Sequence, residues 1–190
     1  MKELSIAIVG VGGQGTLLTS RILGALAMGE QLDVKVSEVH GMAQRCGSVV
    51  TFMRIGERVF APLVDDGCAD YVLAFEQIEA ARAVRYLKVD GAMILSDQAI
   101  PPMPVLTGAA QYPEALIARI GEGRSVVALN ALAMAEAAGE PRAVNMVLLG
   151  VLARRADFPR AAWEAAIAAC VPERLLAVNL KAFDMGYAIA

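Results

Sequence analysis

The stretch Ile6-Ala7-Ile8-Val9-Gly10-Val11-Gly12-Gly13-Gln14-Gly15-Thr16 decides how this chain is read. A short apolar run, Ile6 to Val9, enters a glycine-dense turn, and an amphipathic segment from Thr16 to Met28 leaves it. That order predicts strand, tight loop and helix. The first amides of such a helix lack intrahelical partners, and the helix dipole behind them favours an anion, usually a phosphate. Gly10, Gly12 and Gly15 match the G-x-G-x-x-G spacing of dinucleotide folds. The same glycines have a plainer use, since they permit a sharp turn and close packing of helix on strand.

The pattern continues outward from this unit. Leu4 to Val9 is apolar enough to be buried on both faces of a parallel sheet. Leu18, Ile22, Ala25 and Gly29 share one face of the following helix, and Thr16 stands where a hydroxyl can serve the free amides. Asp33 to Val39 reads as a second strand. Glu38 lies near its end, where dinucleotide folds place an acid on the ribose hydroxyls, but it is far from Gly10 for that role. Ser48 to Ile55 reads as a third strand, with Gly56-Glu57 turning it into Arg58-Val59-Phe60 as an antiparallel hairpin.

Further strands are expected at Tyr71 to Phe75, Ala92 to Ser96 and Ser125 to Leu129, with helices at Glu76 to Leu87 and Pro113 to Ile120. Pro101-Pro102-Met103-Pro104 reads as an extended connection. From Asn130 the pattern turns helical: Ala131 to Ala138, Arg142 to Arg155, a helix carrying Trp163 and Ile167 on one face, and a last one carrying Leu176, Leu180, Phe183 and Tyr187. The expected fold is α/β: a Rossmann-like, mostly parallel sheet with a β-hairpin insertion and a helical C-terminal portion. Residues 1–190 read as one domain.

Composition narrows the function. Apolar residues make up 57% of the chain and charged ones 19%, which implies a large core together with surface hidden against a partner. The helix Arg142 to Arg155, apolar nearly all round, and the C-terminal helices are the expected route for self-association when the chain is isolated. A formal charge of −3 without basic runs argues against nucleic acid and membrane surfaces. With no signal or spanning segment in view, a cytoplasmic location is expected. Cys46, Cys68 and Cys170 are too far apart for a cluster or a zinc framework, and read as buried or half-buried free thiols. His40 is the only histidine. No catalytic or metal-ligating residue is expected on this chain.

A second loop, Ser37 to Ser48, adds ligand-binding chemistry. Arg45 can make a bidentate contact with a carboxylate or phosphate, and Gln44 and Ser48 supply further hydrogen bonds. If both loops follow parallel strands, both open on the carboxyl edge of the sheet, where α/β folds bind ligands. The candidate cofactor-binding residues are therefore Gly10, Gly12, Gly13, Gln14, Gly15, Thr16, Gln44 and Arg45.

Three motifs in order, Gly10-Val-Gly-Gly-Gln-Gly15, Glu38-Val-His-Gly-Met-Ala-Gln-Arg45 and Asn145-Met-Val-Leu-Leu-Gly150, resemble the gamma-type domain of 2-oxoacid:ferredoxin oxidoreductases. Within that family the likeness is to the beta subunit of the indolepyruvate type. The family has Arg-Gly-Gly where this chain has Arg45-Cys46-Gly47, so a cysteine here stiffens the loop or crowds a close contact. The resemblance implies an accessory subunit in a complex that decarboxylates an aryl 2-oxoacid oxidatively, forms the acyl-CoA and passes electrons to ferredoxin. Thiamine diphosphate, magnesium and 4Fe-4S clusters are then expected on a partner alpha subunit. For this chain the resemblance leaves a part in covering that site or in binding coenzyme A, whose phosphates suit the glycine loop and Arg45. The residues agree independently, having no G-D-G…N-N segment for thiamine diphosphate and no cluster spacing of cysteines. Two other readings remain open from the loops alone: a free-standing NAD(P)-binding protein using Gly10, Gly12, Gly15 and Glu38, and a purely structural subunit whose glycines shape an interface.

Overall fold

The apolar run that opens the chain forms β1 (Leu4–Val11), and every member from Ser5 to Gly10 is buried. The computed structural model describes residues 3–40 and 47–189, with His40 described in its backbone alone. Next to β1 on one side lies β4 (Ala69–Ala74), followed outward by β5 (Leu87–Ser96) and β6 (Ser125–Leu129), all parallel. On the other side lies β3 (Ser48–Gly56), antiparallel to β1, and beyond it the edge strand β2 (Asp33–His40), antiparallel to β3. The order is β2-β3-β1-β4-β5-β6, so five strands run one way and β3 runs against them.

The mostly parallel sheet and the antiparallel insertion stand as expected, but the hairpin is built differently. Its two arms are β2 and β3, in register from Asp33 opposite Gly56 to His40 opposite Val49. Arg58 to Phe60 forms no strand; Asp33 instead accepts a hydrogen bond from the Val59 amide (3.0 Å) and holds this segment at the foot of β2.

Helices cover both faces. On one, α1 (Thr16–Gly29) packs with α5 (Ala131–Ala138), α6 (Val144–Ala153), α7 (Arg160–Cys170) and α8 (Glu173–Tyr187) over Ile6, Ile8, Met53, Ile55, Leu73 and Ile94. On the other, α2 (Gln77–Ala83) and α4 (Leu116–Gly121) cover Ala7, Val9, Val72, Ala74, Met93 and Leu95. The excursion after β5 carries a four-residue helix, α3 (Met103–Leu106), in place of the expected extended proline segment.

The expected self-association through Arg142 to Arg155 is overturned. All ten residues of α6 are buried, under α5 and α8 on one side and the sheet on the other. A helix apolar all round belongs inside, and here the inside is that of its own subunit. Trp163 closes the same layer, edge-on to Phe158 and tilted against Phe183 at 6.1 and 6.2 Å between ring centroids. Among the thiols Cys170 is half-buried, but Cys68 is exposed, contrary to expectation, because the segment before β4 lies at the surface. No described helix is long and apolar enough to cross a membrane.

Candidate functional site

Two residues with left-handed backbone make the turn that joins β1 to α1. Gly13 has φ 102° and Gly15 φ 91°, a conformation other residues adopt only under strain. The first bond of α1 runs from the Thr19 amide to the Gly15 carbonyl (3.0 Å), so the amides before Thr19 form the open start of the helix. Thr16, buried at the first helical position, makes no side-chain cap. Gly10 serves packing: a Cβ there would stand 2.9 Å from Gln14 Oε1 and 3.0 Å from Phe75 Cβ.

Gln14 is a brace. Its Oε1 accepts from the Val11 amide (2.7 Å), and its Nε2 donates to the Phe75 carbonyl and to Gln98 Oε1, both at 3.1 Å. The amide therefore ties the glycine loop to the ends of β4 and β5, and its hydrogen-bonding groups are already occupied. The Gly12 amide donates to the Gly47 carbonyl (2.9 Å), which joins the glycine loop to the second loop. Gln44, Arg45 and Cys46 lie outside the described residues.

The residue that sequence reasoning places in a motif without giving it a role is Asn145. It stands in the first turn of α6, only 2% exposed, and its Cγ would lie 3.3 Å from a Cβ on Gly15. Among the described residues its side chain has no hydrogen-bond partner. Together with Gly13, Gly15, Arg142 and Asn179 it lines a crevice of about 460 Å³ between the glycine loop and the C-terminal helices. The open start of α1 meets this crevice, whereas α6 continues from a 3-10 turn, Pro141–Ala143, whose leading amides are already bonded to Glu140. Arg142 at the crevice rim is exposed and makes no ion pair among the described residues. Glu140 also lines it, with one carboxylate oxygen accepting the Arg142 amide at 3.1 Å. Free amides, an unpartnered amide side chain and an unpaired guanidinium together are chemistry for an anion. A larger cavity, about 590 Å³, lies at the opposite edge among Asp70, Asp90, Arg155 and Asp157, away from the strand ends where such folds bind ligands.

The position of Glu38 bears on the dinucleotide reading. In that fold the acid sits at the end of the strand next to β1. Here β3 separates β1 from β2, so Glu38 is two strand spacings from β1, roughly 9–10 Å. Its carboxylate accepts from Ser20 Oγ (3.2 Å) on α1. Glu38 is a strut between edge strand and helix, which removes the ribose contact from the NAD(P) alternative.

Asp97 follows β5 at the same edge, and burial holds its carboxyl above the ordinary value of 3.8. A carboxyl raised by folding contributes stability that is fully present below its unfolded value and is lost as pH rises through the folded one. Stability should therefore fall as pH rises through the range above 3.8, and Asp97→Asn should flatten that slope, which urea midpoints across the acid range will measure.

A family model for pyruvate ferredoxin/flavodoxin oxidoreductase matches residues 5–189. The indolepyruvate oxidoreductase subunit IorB of Pyrococcus horikoshii is 41% identical, over 98% of this chain and 95% of that one. The gamma subunit of a keto/oxoacid ferredoxin oxidoreductase from Geobacter sulfurreducens has the same fold, with a TM-score of 0.73, 23% identity, and coverage of 97% of this chain and 96% of that one. The fold also recurs in 2-oxoglutarate:ferredoxin oxidoreductase from Magnetococcus marinus, whose structure has 2-oxoglutarate, coenzyme A and succinyl-CoA bound; the TM-score is 0.76 at 21% identity, over 99% of this chain and 31% of that one. Matched from end to end by the family model and by a relative of its own length, the chain belongs to the pyruvate ferredoxin/flavodoxin oxidoreductase family.

Proposed function

We propose that this chain is the small subunit of an indolepyruvate-type 2-oxoacid:ferredoxin oxidoreductase and that its crevice holds phosphate of coenzyme A. The observation that carries the second part is Asn145, a residue only 2% exposed that lines the crevice beside the glycine loop, in the first turn of α6, with no hydrogen bond from its side chain to the described residues. Arg142 adds the charge, and the start of α1 adds backbone donors. Arg45, on the loop that meets Gly12, is assigned to the same anion. Residues 1–190 then act as one gamma-type domain of the complex.

The catalytic centre is assigned to a partner alpha subunit carrying thiamine diphosphate, magnesium and 4Fe-4S clusters, with ferredoxin as the electron acceptor. Thiamine diphosphate there supplies the electron sink for loss of carbon dioxide. What supports the division is size: a chain of this length matches only 31% of the Magnetococcus chain. This subunit's part is to position the acyl acceptor, and the reaction is taken to proceed in the cytoplasm.

In the assembled oxidoreductase, Asn145→Ala and Arg142→Ala should each raise the KM for coenzyme A by roughly 10-fold or more, as loss of a charge-assisted hydrogen bond implies. The KM for the 2-oxoacid should stay constant, and Arg45→Ala should behave like Arg142→Ala. One observation favours a purely structural subunit instead: the Gln14 amide is fully engaged within the chain. An unchanged affinity for coenzyme A in all three variants, with assembly intact, would establish that reading and overturn the phosphate site.

A further inference from the structure

Across the glycine loop from the crevice lies a further cavity, about 300 Å³, under the excursion that follows β5. Ile78, Ile100 and Pro102 wall it, and Met103 and Leu106 of α3 stand at its mouth, each 67% exposed. Its polar side is a small assembly. Glu79, with its side chain 7% exposed, accepts hydrogen bonds from Ser48 Oγ and, at 2.7 Å, from Arg82 Nη1.

The volume is at the lower end for ligand pockets, right for a ring system and too small for a whole cofactor. A carboxylate has about four acceptor directions, and Ser48 and Arg82 take two, which leaves Glu79 able to accept from an N–H. The Arg82 side chain, 60% exposed and tied through its guanidinium to Glu79, is of the kind that stacks on an aromatic ring. Exposed Met103 and Leu106 gain most if a flat apolar surface covers them.

We infer that this cavity takes a flat aromatic ring bearing an N–H, as a second compartment beside the anion crevice. Two molecules of the proposed reaction carry such a ring: an aryl 2-oxoacid of the indole kind and the adenine of coenzyme A. The identity of the ring rests on the functional reading above; the ring-binding chemistry rests on the cavity.

The test is a doubly substituted Met103→Glu, Leu106→Glu subunit in the assembled oxidoreductase, both positions being exposed and free of core contacts that would unfold the chain. If the ring is the substrate's, the KM for indolepyruvate rises at least ten-fold and that for coenzyme A holds. If it is adenine, the KM for coenzyme A rises and that for indolepyruvate holds. Saturation-transfer NMR of the full chain with indole-3-acetate and with adenosine should show contact for the matching probe only, lost in the double variant. Unchanged KM values for both compounds overturn the inference. That failure is separable from failure of the phosphate site, because Asn145 and Arg142 would still govern the affinity for coenzyme A.

Discussion

Replacing either Gly150 or Gly186 by alanine should destabilise the subunit by about 4 kcal/mol, through overlap that the backbone has no room to relieve. A Cβ at Gly150 would stand 2.1 Å from the Phe183 carbonyl oxygen and 2.6 Å from the Tyr187 nitrogen; one at Gly186 would stand 2.0 Å from the Val147 oxygen. The atoms in the way are backbone on both sides, so no side-chain rotation helps. The two glycines form a mutual notch by which α6 and α8 approach, and α6 sits beneath the anion crevice. Once one methyl has parted the helices, the second finds space, so the double variant should lose clearly less than the sum of the two. Gly24→Ala is the control. It lies within α1, where an added Cβ would meet nothing within 4 Å, and should stabilise by about 0.5–1 kcal/mol. Guanidinium unfolding of the four variants checks the series, and additive losses at Gly150 and Gly186 would mean the notch is not shared.

The same contact shows why composition alone misplaces α6. Arg142 to Arg155 advertises burial, but an apolar sequence does not say against what, and only the folded chain supplies α5 and α8 as the layer around it. Strands are legible where burial on both faces makes them continuous apolar runs, as in β1 and β4. Their neighbours are not. The alternation in Asp33–His40 and Ser48–Gly56 identifies two strands, but only the pairing inserts β3 between β2 and β1 and so carries Glu38 away from the glycine loop. Site chemistry follows the same rule. The left-handed turns at Gly13 and Gly15 are local and readable. The brace role of Gln14 depends on Phe75 and Gln98, 61 and 84 residues away, and no local pattern encodes it. Asn145 is visible as part of a motif; that it is buried, unpartnered and against Gly15 is a property of the folded chain.

Glu76→Ala should bring the second large loss, roughly 3–4 kcal/mol, because one buried carboxylate organises the whole α2 side of the carboxyl edge. Glu76 is 1% exposed. One oxygen caps α2, accepting from the amides of Ile78 (2.7 Å) and Glu79 (3.0 Å). The other accepts from the Ile100 amide (3.1 Å) and from the Tyr112 hydroxyl, and so pins both ends of the excursion that carries α3. Burial, with the Glu76 bond and charge, pushes the Tyr112 hydroxyl well above its usual value of 10, which keeps it protonated and donating across the working pH range. Alanine strands all four donors. Glu76→Gln keeps one oxygen but turns an N–H₂ towards the remaining donors, so its loss should be intermediate, and Tyr112→Phe should lose only about 1 kcal/mol, the worth of one bond. Limited proteolysis separates local from global effects: cleavage between residues 99 and 115 should accelerate in the order Tyr112→Phe, Glu76→Gln, Glu76→Ala. If the excursion were instead held by its own apolar contacts, Met103 and Leu106 would not be so exposed, and the three variants would be cut at the wild-type rate.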